Sequence, residues 1–280
     1  MKKAPVNKII QFSNVDGPGN RTAIFFQGCP FNCMFCHNPE TINMCCSCGI
    51  CVPSCPAGAL SKSPDGTVIW DSDKCVQCDT CIRLCPHEAS PRVKWMSVED
   101  VMVQVRRCAP YIDGITCSGG ECTLRNEFMI DLFREVSKLG KTCLIDSNGS
   151  FDFENDSRVL EFSEGVMLDV KAVDPLWSEK LISNNGNMVL KNLDYLKNAG
   201  KLYEVRTVIL PGNDEENERT VRYVAEHIGD SCFYKIIRYR PFGVRERFQK
   251  LLGEDETDAD YAENYAKLAR DLGAVKAYVV

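Results

Sequence analysis

The segment that decides the fold is Arg21-Thr-Ala-Ile-Phe-Phe-Gln-Gly-Cys29-Pro-Phe-Asn-Cys33-Met-Phe-Cys36. Its first seven residues are mainly β-branched or aromatic and predict a buried strand. The strand leads directly into a loop whose three cysteines have the spacing C-x3-C-x2-C. Because thiolates are soft ligands that suit iron–sulfur chemistry, the loop predicts an iron–sulfur cluster at the carboxyl end of a strand.

This cluster has an open coordination position. Three thiolates bind three irons of a [4Fe–4S] cubane, and the fourth iron remains free for a ligand such as S-adenosylmethionine (SAM), whose amino and carboxylate groups can chelate it. We therefore predict that Cys29, Cys33 and Cys36 hold a SAM-binding [4Fe–4S] cluster. The alternative is a structural zinc site, but zinc favours four closed ligands, and His37 is poorly placed to complete them.

Strand and helix patterns alternate over residues 92–280, and the strand of the opening segment precedes them. The predicted strands are 21–27, 114–118, 141–146, 166–170, 203–210 and 233–239. The predicted helices are 98–108, 124–139, 190–199, a stripe over 221–228, and 261–272. Such alternation indicates a parallel sheet, and six strands are too few to close an eight-stranded barrel. We expect an α/β fold with a partial (β/α)6 TIM barrel, whose strands point their carboxyl ends into the active site.

Residues 44–91 carry nine cysteines, eight of which form two copies of the pattern C-x2-C-x2-C-x3-C-P. This pattern is typical of bacterial two-cluster ferredoxins, in which the fourth cysteine of each run ligates the other cluster. Cluster A would be held by Cys45, Cys48, Cys51 and Cys85. Cluster B would be held by Cys75, Cys78, Cys81 and Cys55. Cys46 competes with Cys45 for the first position, but the spacing favours Cys45.

The chain is thus expected to have two domains. Residues 1–43 and 92–280 form a discontinuous core, and residues 44–91 form a ferredoxin-like 2[4Fe–4S] insert. Two zinc knuckles are the alternative for the insert, although the trailing Cys-Pro of both runs favours a ferredoxin. Electron relay, docking of a partner and a purely structural role remain open for the insert.

Composition narrows the class of protein. The chain has 280 residues, 17 cysteines and a net charge of −6. The clustered cysteines and the lack of an export signal argue against disulfides, and the acidic charge argues against a nucleic-acid partner. No apolar run has the length of a membrane span. We expect a soluble, cytoplasmic protein, and a monomer.

Three short motifs carry a resemblance to a known family. They are Asp16-Gly-Pro-Gly19, Phe25-Phe-Gln-Gly-Cys29 and Cys36-His-Asn38. Together they resemble the radical SAM activases of glycyl radical enzymes, including pyruvate formate-lyase activase; with the insert, the chain is most similar to the YjjW-type activases. The resemblance implies reductive cleavage of SAM to a 5′-deoxyadenosyl radical, which abstracts a glycine Cα hydrogen from a YjjI-type partner protein. It also implies flavodoxin or ferredoxin as the electron donor, and anaerobic chemistry.

The same family has recognisable SAM-binding elements. Their counterparts here are Ser118-Gly-Gly-Glu121, Asp146-Ser-Asn-Gly149, Met167-Leu-Asp-Val-Lys171 and Arg206. By resemblance, the cofactor contacts would be Gly119, Gly120, Glu121, Asp146, Asn148, Lys171, Arg206 and Arg240. A Na⁺ or K⁺ ion beside SAM would be bound by Asp146, Ser147, the carbonyl of Met167 and Asp169, and hard oxygen ligands suit such an ion. No side chain is expected to act as a catalytic acid or base.

Each of these assignments has a simpler alternative. The two glycines could form a plain turn, and Asp169–Lys171 or an Asp–Arg pair could be an ordinary salt bridge. Arg206 could belong to a structural ion pair. Arg240 stands where pyruvate formate-lyase activase has a histidine, so its role is open. Arg238, Arg245 and Arg247 could form a solvated face or meet an acidic partner.

Two other functions are compatible with the cluster motifs. The first is a radical SAM enzyme that modifies a small molecule or a peptide. Peptide-modifying enzymes carry further cluster cysteines after the barrel, whereas only Cys232 follows Cys143 here. The second is an electron-transfer protein without turnover, which the three-cysteine motif and the SAM elements disfavour. The remaining cysteines in helix and strand patterns, such as Cys108 and Cys117, are expected to be buried apolar residues.

Overall fold

The predicted alternation of strands and helices is present in the structure, a computed structural model that describes residues 2–280. The strands are β1 Lys3–Ser13, β2 Arg21–Phe26, β3 Leu60–Lys62, β4 Val68–Trp70, β5 Lys94–Ser97, β6 Gly114–Gly119, β7 Thr142–Ser147, β8 Gly165–Asp169, β9 Leu202–Ile209, β10 Phe233–Arg238 and β11 Ala277–Val279. The helices are α1 Thr80–Arg83, α2 Val98–Cys108, α3 Asn126–Ser137, α4 Pro175–Ile182, α5 Asn187–Asn198, α6 Asp214–Ile228, α7 Glu246–Leu252 and α8 Ala259–Asp271.

One nine-stranded sheet organises the chain, in the order β11-β10-β9-β8-β7-β6-β2-β1-β5. From β2 to β11 the neighbouring strands are parallel, whereas β1 pairs antiparallel with β2 and β5. The sheet ends at β11 on one side and at β5 on the other, so it is a barrel-like sheet that does not close. The predicted α/β fold with a partial barrel is confirmed.

Strand β2 lies inside the sheet because all of its side chains are apolar or internally satisfied. All six of its residues are buried. Its parallel register with β6 pairs Phe25 with Ser118 and Phe26 with Gly119. This register brings the cysteine loop after β2 next to the two glycines that end β6.

The helices pack one apolar face each against the sheet. In α2 the predicted stripe of Val101, Met102, Val105 and Cys108 is buried, and a capping box from Ser97 begins the helix. In α6 the predicted stripe consists of Val221, Val224, Ala225 and Ile228, and all four are buried as well. Full burial of a valine or isoleucine side chain contributes about 1.5–3 kcal/mol, so these stripes fix the helices on the sheet.

Several elements differ from the prediction. The sheet has nine strands rather than six, because β1, β5 and β11 were not predicted. Pro5 disfavours a strand prediction for this stretch, since proline lacks an N–H donor. In the structure β1 is nevertheless a strand because it pairs with both β2 and β5. Helix α3 begins at Asn126, after a 3₁₀ turn at Cys122–Arg125, rather than at residue 124. Helices α4 and α7 were also missed.

Residues 44–91 contain little regular structure. Strands β3 and β4 pair antiparallel, α1 is a single turn, and the remainder consists of turns. A parallel bridge between Asn43 and Ala89 joins the two points at which the segment leaves and rejoins the core. The side-chain amide of Gln27 supports this junction by donating to the carbonyl oxygens of Glu40 and Asn43, at 2.6 and 2.7 Å. Residues 44–91 therefore leave the core and rejoin it at the same place.

Within residues 2–280, every helix is too short or too polar to span a bilayer.

Candidate active site

The carboxyl ends of the parallel strands surround a cavity of about 370 Å³. This is the edge of a barrel at which active sites form. Of the predicted site residues, the cavity is lined by Cys29, Cys33, Cys36, Gly119, Gly120, Asp146, Ser147, Asn148, Asp169, Lys171 and Arg206. The fold therefore brings residues from β2, β6, β7, β8 and β9 to one place, as the position of each after a strand predicted.

The cysteine loop is held by backbone hydrogen bonds on both sides of Cys29. The N–H groups of Gly28 and Cys29 donate to the carbonyl oxygens of Thr41 and Ile42, at 2.8 and 2.9 Å. The side-chain amide of Asn148 donates to the sulfur of Cys29 at 3.4 Å. Asn148 thus contacts the first cysteine of the loop from the end of β7.

Among the cysteines of this loop, Cys33 is buried, and Cys29 and Cys36 are partly buried. Burial raises the pKa of Cys29, and it raises the pKa of Cys33 to about 12. A buried thiol with a raised pKa ionises readily only when a bound cation stabilises the thiolate, and the irons of a cluster supply that charge. The donor set therefore fits an iron–sulfur cluster.

The zinc alternative fits this loop poorly. Among the described residues, the group of three or more potential ligands that come within 4.8 Å of one another is Cys46, Cys48 and His87, and the loop thiols do not form such a group. Tetrahedral zinc with Zn–S bonds of about 2.3 Å needs closer sulfurs. In addition, Nε2 of His37 lies 3.1 Å from the carbonyl oxygen of Arg240, so that nitrogen donates a hydrogen bond there.

Two ion pairs line the wall of the cavity. Nζ of Lys171 lies 2.6 Å from the carboxylate of Asp169, and Nη1 of Arg206 lies 2.9 Å from that of Asp146. Burial raises the pKa of Asp146, although Arg206 opposes the shift. Burial by itself would lower the pKa of Lys171, but the adjacent Asp169 raises it overall. Both salt bridges that the sequence left open as alternatives are thus present.

Arg206 is fixed by three contacts. Besides Asp146, its Nε donates to Glu204 at 2.6 Å and its Nη2 lies 2.9 Å from the sulfur of Met167. Glu204 is itself 3.2 Å from Nζ of Lys235. Met167 is fully buried behind this network and does not line the cavity. The predicted role of the Met167 carbonyl as a cation ligand stays a prediction, whereas Asp146, Ser147 and Asp169 line the cavity.

Gly120 is a glycine because backbone lies against it. A Cβ on Gly120 would come within 2.3 Å of the carbonyl oxygen of Gly28 and 2.8 Å of that of Thr41. Gly119 has φ +121 and a similar clash with the backbone of Phe26. The two glycines therefore allow β6 to approach the cysteine loop closely, which is more than a plain turn.

Glu121 differs from the prediction. Its side chain is 1% exposed and does not line the cavity. Its carboxylate accepts hydrogen bonds from the hydroxyl of Ser147 at 3.0 Å and the N–H of Asn148 at 2.7 Å. It also accepts two from Thr123, at 2.6 and 3.1 Å. Glu121 therefore organises the loop after β7 from behind, and it is not in contact with the cavity.

Arg240 is also displaced from the predicted place. Its side chain is 48% exposed, lies 4.0 Å from Glu256 and borders a neighbouring cleft rather than the cavity. Its carbonyl oxygen, not its guanidinium, faces the cysteine loop through His37. The tertiary structure thus removes Arg240 from the set of cavity-lining residues.

The other C-terminal arginines do not form one solvated face. Arg238 pairs with Glu256, and Arg247 pairs with Glu88. The side chain of Arg245 is only 8% exposed and contacts Glu88 at 2.7 Å. The acidic groups that meet these arginines are thus in the same chain.

Sequence reasoning missed the acidic residue Asp16 of the site and the buried arginine that supports it. Asp16 lines the cavity, and it comes from the loop between β1 and β2. Arg21 is buried below it; its Nε donates to the hydroxyl of Thr116 at 2.9 Å, and that hydroxyl donates to the carbonyl oxygen of Asp16. The signal that could have found them is the Asp16-Gly-Pro-Gly19 motif, which was noted only for its resemblance.

The cysteines of residues 44–91 form two groups. One cavity is lined by Cys75, Cys78, Cys81 and Cys55. In the other group, burial raises the pKa of Cys51, and the nearby thiols of Cys81, Cys45 and Cys85 add to the shift. Cys55, from the first run, thus lies with the first three cysteines of the second run, and Cys85 is near Cys51 and Cys45; Cys81 is near Cys51 as well. Cys48 lies near Cys46 and His87 on the exposed surface.

The parallel strands do not close into a barrel, and a three-cysteine loop follows β2. This combination defines a class of α/β enzymes that hold a SAM-binding cluster. The chain belongs to the Radical SAM superfamily, whose family model matches residues 23–224. Membership implies a [4Fe–4S] cluster and SAM.

Among curated proteins, the chain is similar to several activating enzymes. It is 30% identical to the indoleacetate decarboxylase activating enzyme of Tractidigestivibacter scatoligenes, over 86% of this chain and 85% of that protein. It is 27% identical to the choline trimethylamine-lyase activating enzyme of Oleidesulfovibrio alaskensis, over 99% and 96%. It is 28% identical to the pyruvate formate-lyase-activating enzyme of Clostridium pasteurianum, over 88% and 86%. The protein is therefore a radical SAM enzyme homologous to that activase.

A solved structure shares the fold. The SAM-bound crystal structure of Streptococcus suis SuiB matches with a TM-score of 0.56 and 10% identity, over 91% of this chain and 48% of that one.

Proposed function

We propose that this protein activates a glycyl radical enzyme. The observation that carries the proposal is one cavity into which Cys29, Cys33 and Cys36 open together with the Asp169–Lys171 ion pair. The cluster needs the three thiolates. SAM, which carries a sulfonium, an amino group and a carboxylate, needs carboxylates and a lysine close to that cluster. The homologous activating enzymes match most of this chain, which supports a protein substrate.

When bound, the cluster and SAM supply an electron and a 5′-deoxyadenosyl radical that abstracts a hydrogen atom from a glycine Cα of the partner. The chain's own residues bind, orient and shield. Gly119 and Gly120 let β6 approach β2 and the cysteine loop closely, and Asn148 donates to Cys29 at 3.4 Å. The cavity of about 370 Å³ at the carboxyl ends of the strands would hold this radical apart from buffer molecules that could donate a hydrogen atom to it.

The charged wall would orient SAM. Lys171 is 12% exposed and Arg206 11%, so both present a desolvated cation to the cavity. A desolvated guanidinium fork suits the SAM carboxylate, and it would exchange part of its contact with Asp146 for that carboxylate. Asp146, Ser147 and Asp169 are the residues that would bind a Na⁺ or K⁺ ion beside it.

We propose further that residues 44–91 are a ferredoxin-like domain with two [4Fe–4S] clusters. The support is the grouping of Cys75, Cys78, Cys81 with Cys55 around one cavity. Crossed ligation of this kind ties the two runs into one unit, which would compensate for a segment with so little regular structure. The clusters would relay electrons from a flavodoxin or ferredoxin to the SAM-binding cluster.

The partner would be a YjjI-type glycyl radical protein, and the enzyme would act as a monomer in the cytoplasm. The test is to mix the reduced enzyme, SAM and a candidate glycyl radical protein without oxygen. A doublet in the electron paramagnetic resonance (EPR) spectrum of the partner is the expected result. The variant Cys33→Ala should abolish the doublet, whereas Cys108→Ala, which removes a buried cysteine of α2, should keep it.

Two outcomes would overturn the proposal. If 5′-deoxyadenosine forms together with a modified small molecule or peptide, and glycyl radical proteins give no doublet, the enzyme belongs to the alternative class. If dithionite and SAM give no 5′-deoxyadenosine at all from the reconstituted protein, the chain is an electron-transfer protein.

A further inference from the structure

Arg245 contacts the cysteine loop and residues 44–91 at the same time. Its Nη1 donates to the side-chain oxygen of Asn32 at 2.6 Å, and its Nη2 donates to the carbonyl oxygen of Cys33 at 2.8 Å. Nη1 also donates to the carboxylate of Glu88 at 2.7 Å. One guanidinium group therefore joins a predicted ligand of the SAM-binding cluster to the cysteine-rich segment of residues 44–91.

Glu88 is held where it can make this contact. Its N–H donates to the carbonyl oxygen of Cys85 at 3.2 Å, three residues earlier. Its backbone has φ 50, a left-handed conformation that non-glycine residues seldom adopt. Burial would raise the pKa of Glu88, but hydrogen bonds from Arg247 and Arg245 lower it overall, so the carboxylate stays charged.

The surroundings of Arg245 show that the contact is specific. The side chain is 8% exposed and its guanidinium lies 4.5 Å from the ring of Phe248. By contrast, Arg247 contacts the same carboxylate from solvent, with 57% of its side chain exposed. A desolvated ion pair contributes little net stability, because desolvation offsets the attraction; such pairs are better suited to fixing one relative placement of two segments.

We propose that Arg245 is a positioning residue that couples residues 44–91 to the loop of Cys29, Cys33 and Cys36 by binding Cys33 and Glu88 at once. This goes beyond the activation of a partner, because it concerns two segments of one chain whatever protein is activated. The guanidinium also places a buried positive charge beside the loop, and that charge favours the reduced state of a cluster bound there.

The first test is hydrogen exchange of the full-length protein with its clusters reconstituted. Arg245→Gln should raise amide exchange by about tenfold or more both in residues 31–36 and in residues 85–90, since it removes charge-assisted hydrogen bonds to both. Glu88→Gln should raise it in residues 85–90 alone. Arg247→Gln is the matched control; as an exposed pair it should change residues 85–90 by less than about fivefold and leave residues 31–36 unchanged.

The second test measures the midpoint potential of the cluster whose EPR signal responds to SAM, which separates it from the other clusters. Arg245→Gln should lower this potential, and Arg245→Lys, which retains the charge, should restore it. Arg247→Gln should leave it unchanged. The proposal is wrong if Arg245→Gln and Arg247→Gln behave alike in both tests. It is also wrong if Arg245→Gln does not raise amide exchange in residues 31–36 and in residues 85–90 together. Should Arg245→Gln fail to fold, Glu88→Gln still decides the matter, because unchanged exchange in residues 85–90 of that variant excludes the coupling.

Discussion

The carboxylate of Glu121 accepts a hydrogen bond from the backbone N–H of Asn148 at 2.7 Å, and through it the end of β6 sets the position of the loop after β7. The side chain of Asn148 in turn reaches the sulfur of Cys29. A buried acid that does not line the cavity therefore connects the ends of β6 and β7 to the cysteine loop after β2.

Replacing Glu121 should disturb this connection. In Glu121→Gln an NH2 group takes the place of one carboxylate oxygen and faces the hydroxyl and N–H donors that surrounded it. A buried donor without an acceptor costs about 1–3 kcal/mol, so the free energy of unfolding in urea should fall by that amount. SAM should also bind more weakly, because Asn148 is no longer fixed.

The control is Glu127→Gln, which changes an exposed acid paired with Lys2 and Arg158. Its stability should change by less than about 1 kcal/mol. Equal losses in the two variants would contradict the role assigned to Glu121.

Gly120 should tolerate no side chain. In Gly120→Ala the new Cβ meets the carbonyl oxygens of Gly28 and Thr41, at 2.3 and 2.8 Å, and backbone cannot move aside without shifting Cys29. We expect loss of the SAM-responsive cluster signal and of the iron that belongs to it. Gly140→Ala is the control: it also replaces a glycine, with φ +67 but nothing within 4 Å, so it should keep the cluster. Normal iron content in Gly120→Ala would refute the close approach.

Crossed ligation in residues 44–91 can be tested by combining variants. If Cys55 belongs with Cys75, Cys55→Ser should remove no further iron once Cys75→Ser has removed that cluster. Cys85→Ser in the same background should remove the second cluster as well. Iron analysis and Mössbauer spectra measure the difference. Cys46→Ser should leave the iron content unchanged; a loss there would mean that Cys46, not Cys45, is the ligand.

Arg21 should stabilise the loop that carries Asp16. Its guanidinium is 1% exposed and donates to Thr116, Thr142 and the carbonyl oxygen of Ile115. Arg21→Gln cannot satisfy these buried acceptors, and unfolding in urea should become easier by about 2–4 kcal/mol.

Residues 14–20 should also become sensitive to limited proteolysis in this variant. Arg106→Gln, which removes only an exposed pair with Glu99, is the comparison, and it should stay resistant. Resistance of Arg21→Gln to the same protease would show that the loop is held by other contacts.

Part of the fold could be predicted because it is encoded locally. The β2 strand and the apolar stripe of α2 depend on neighbours along the chain, and both are present as expected. By contrast, β1 contains Pro5 and is a strand only because β2 and β5 pair with it. Its existence depends on partners that are distant in sequence.

The amino-acid sequence by itself determined which strands end in chemistry-bearing residues, and therefore which side chains could meet at one edge of a parallel sheet. It did not determine which of them face the cavity. Glu121, Arg240 and Arg245 carry charges that suit many roles, and only packing decided that the first is buried behind the wall, the second is turned to solvent, and the third joins two segments. The physical reason is that the positions of the central strands along the chain follow from local patterning, whereas the direction of a long charged side chain depends on partners that only the folded chain brings near.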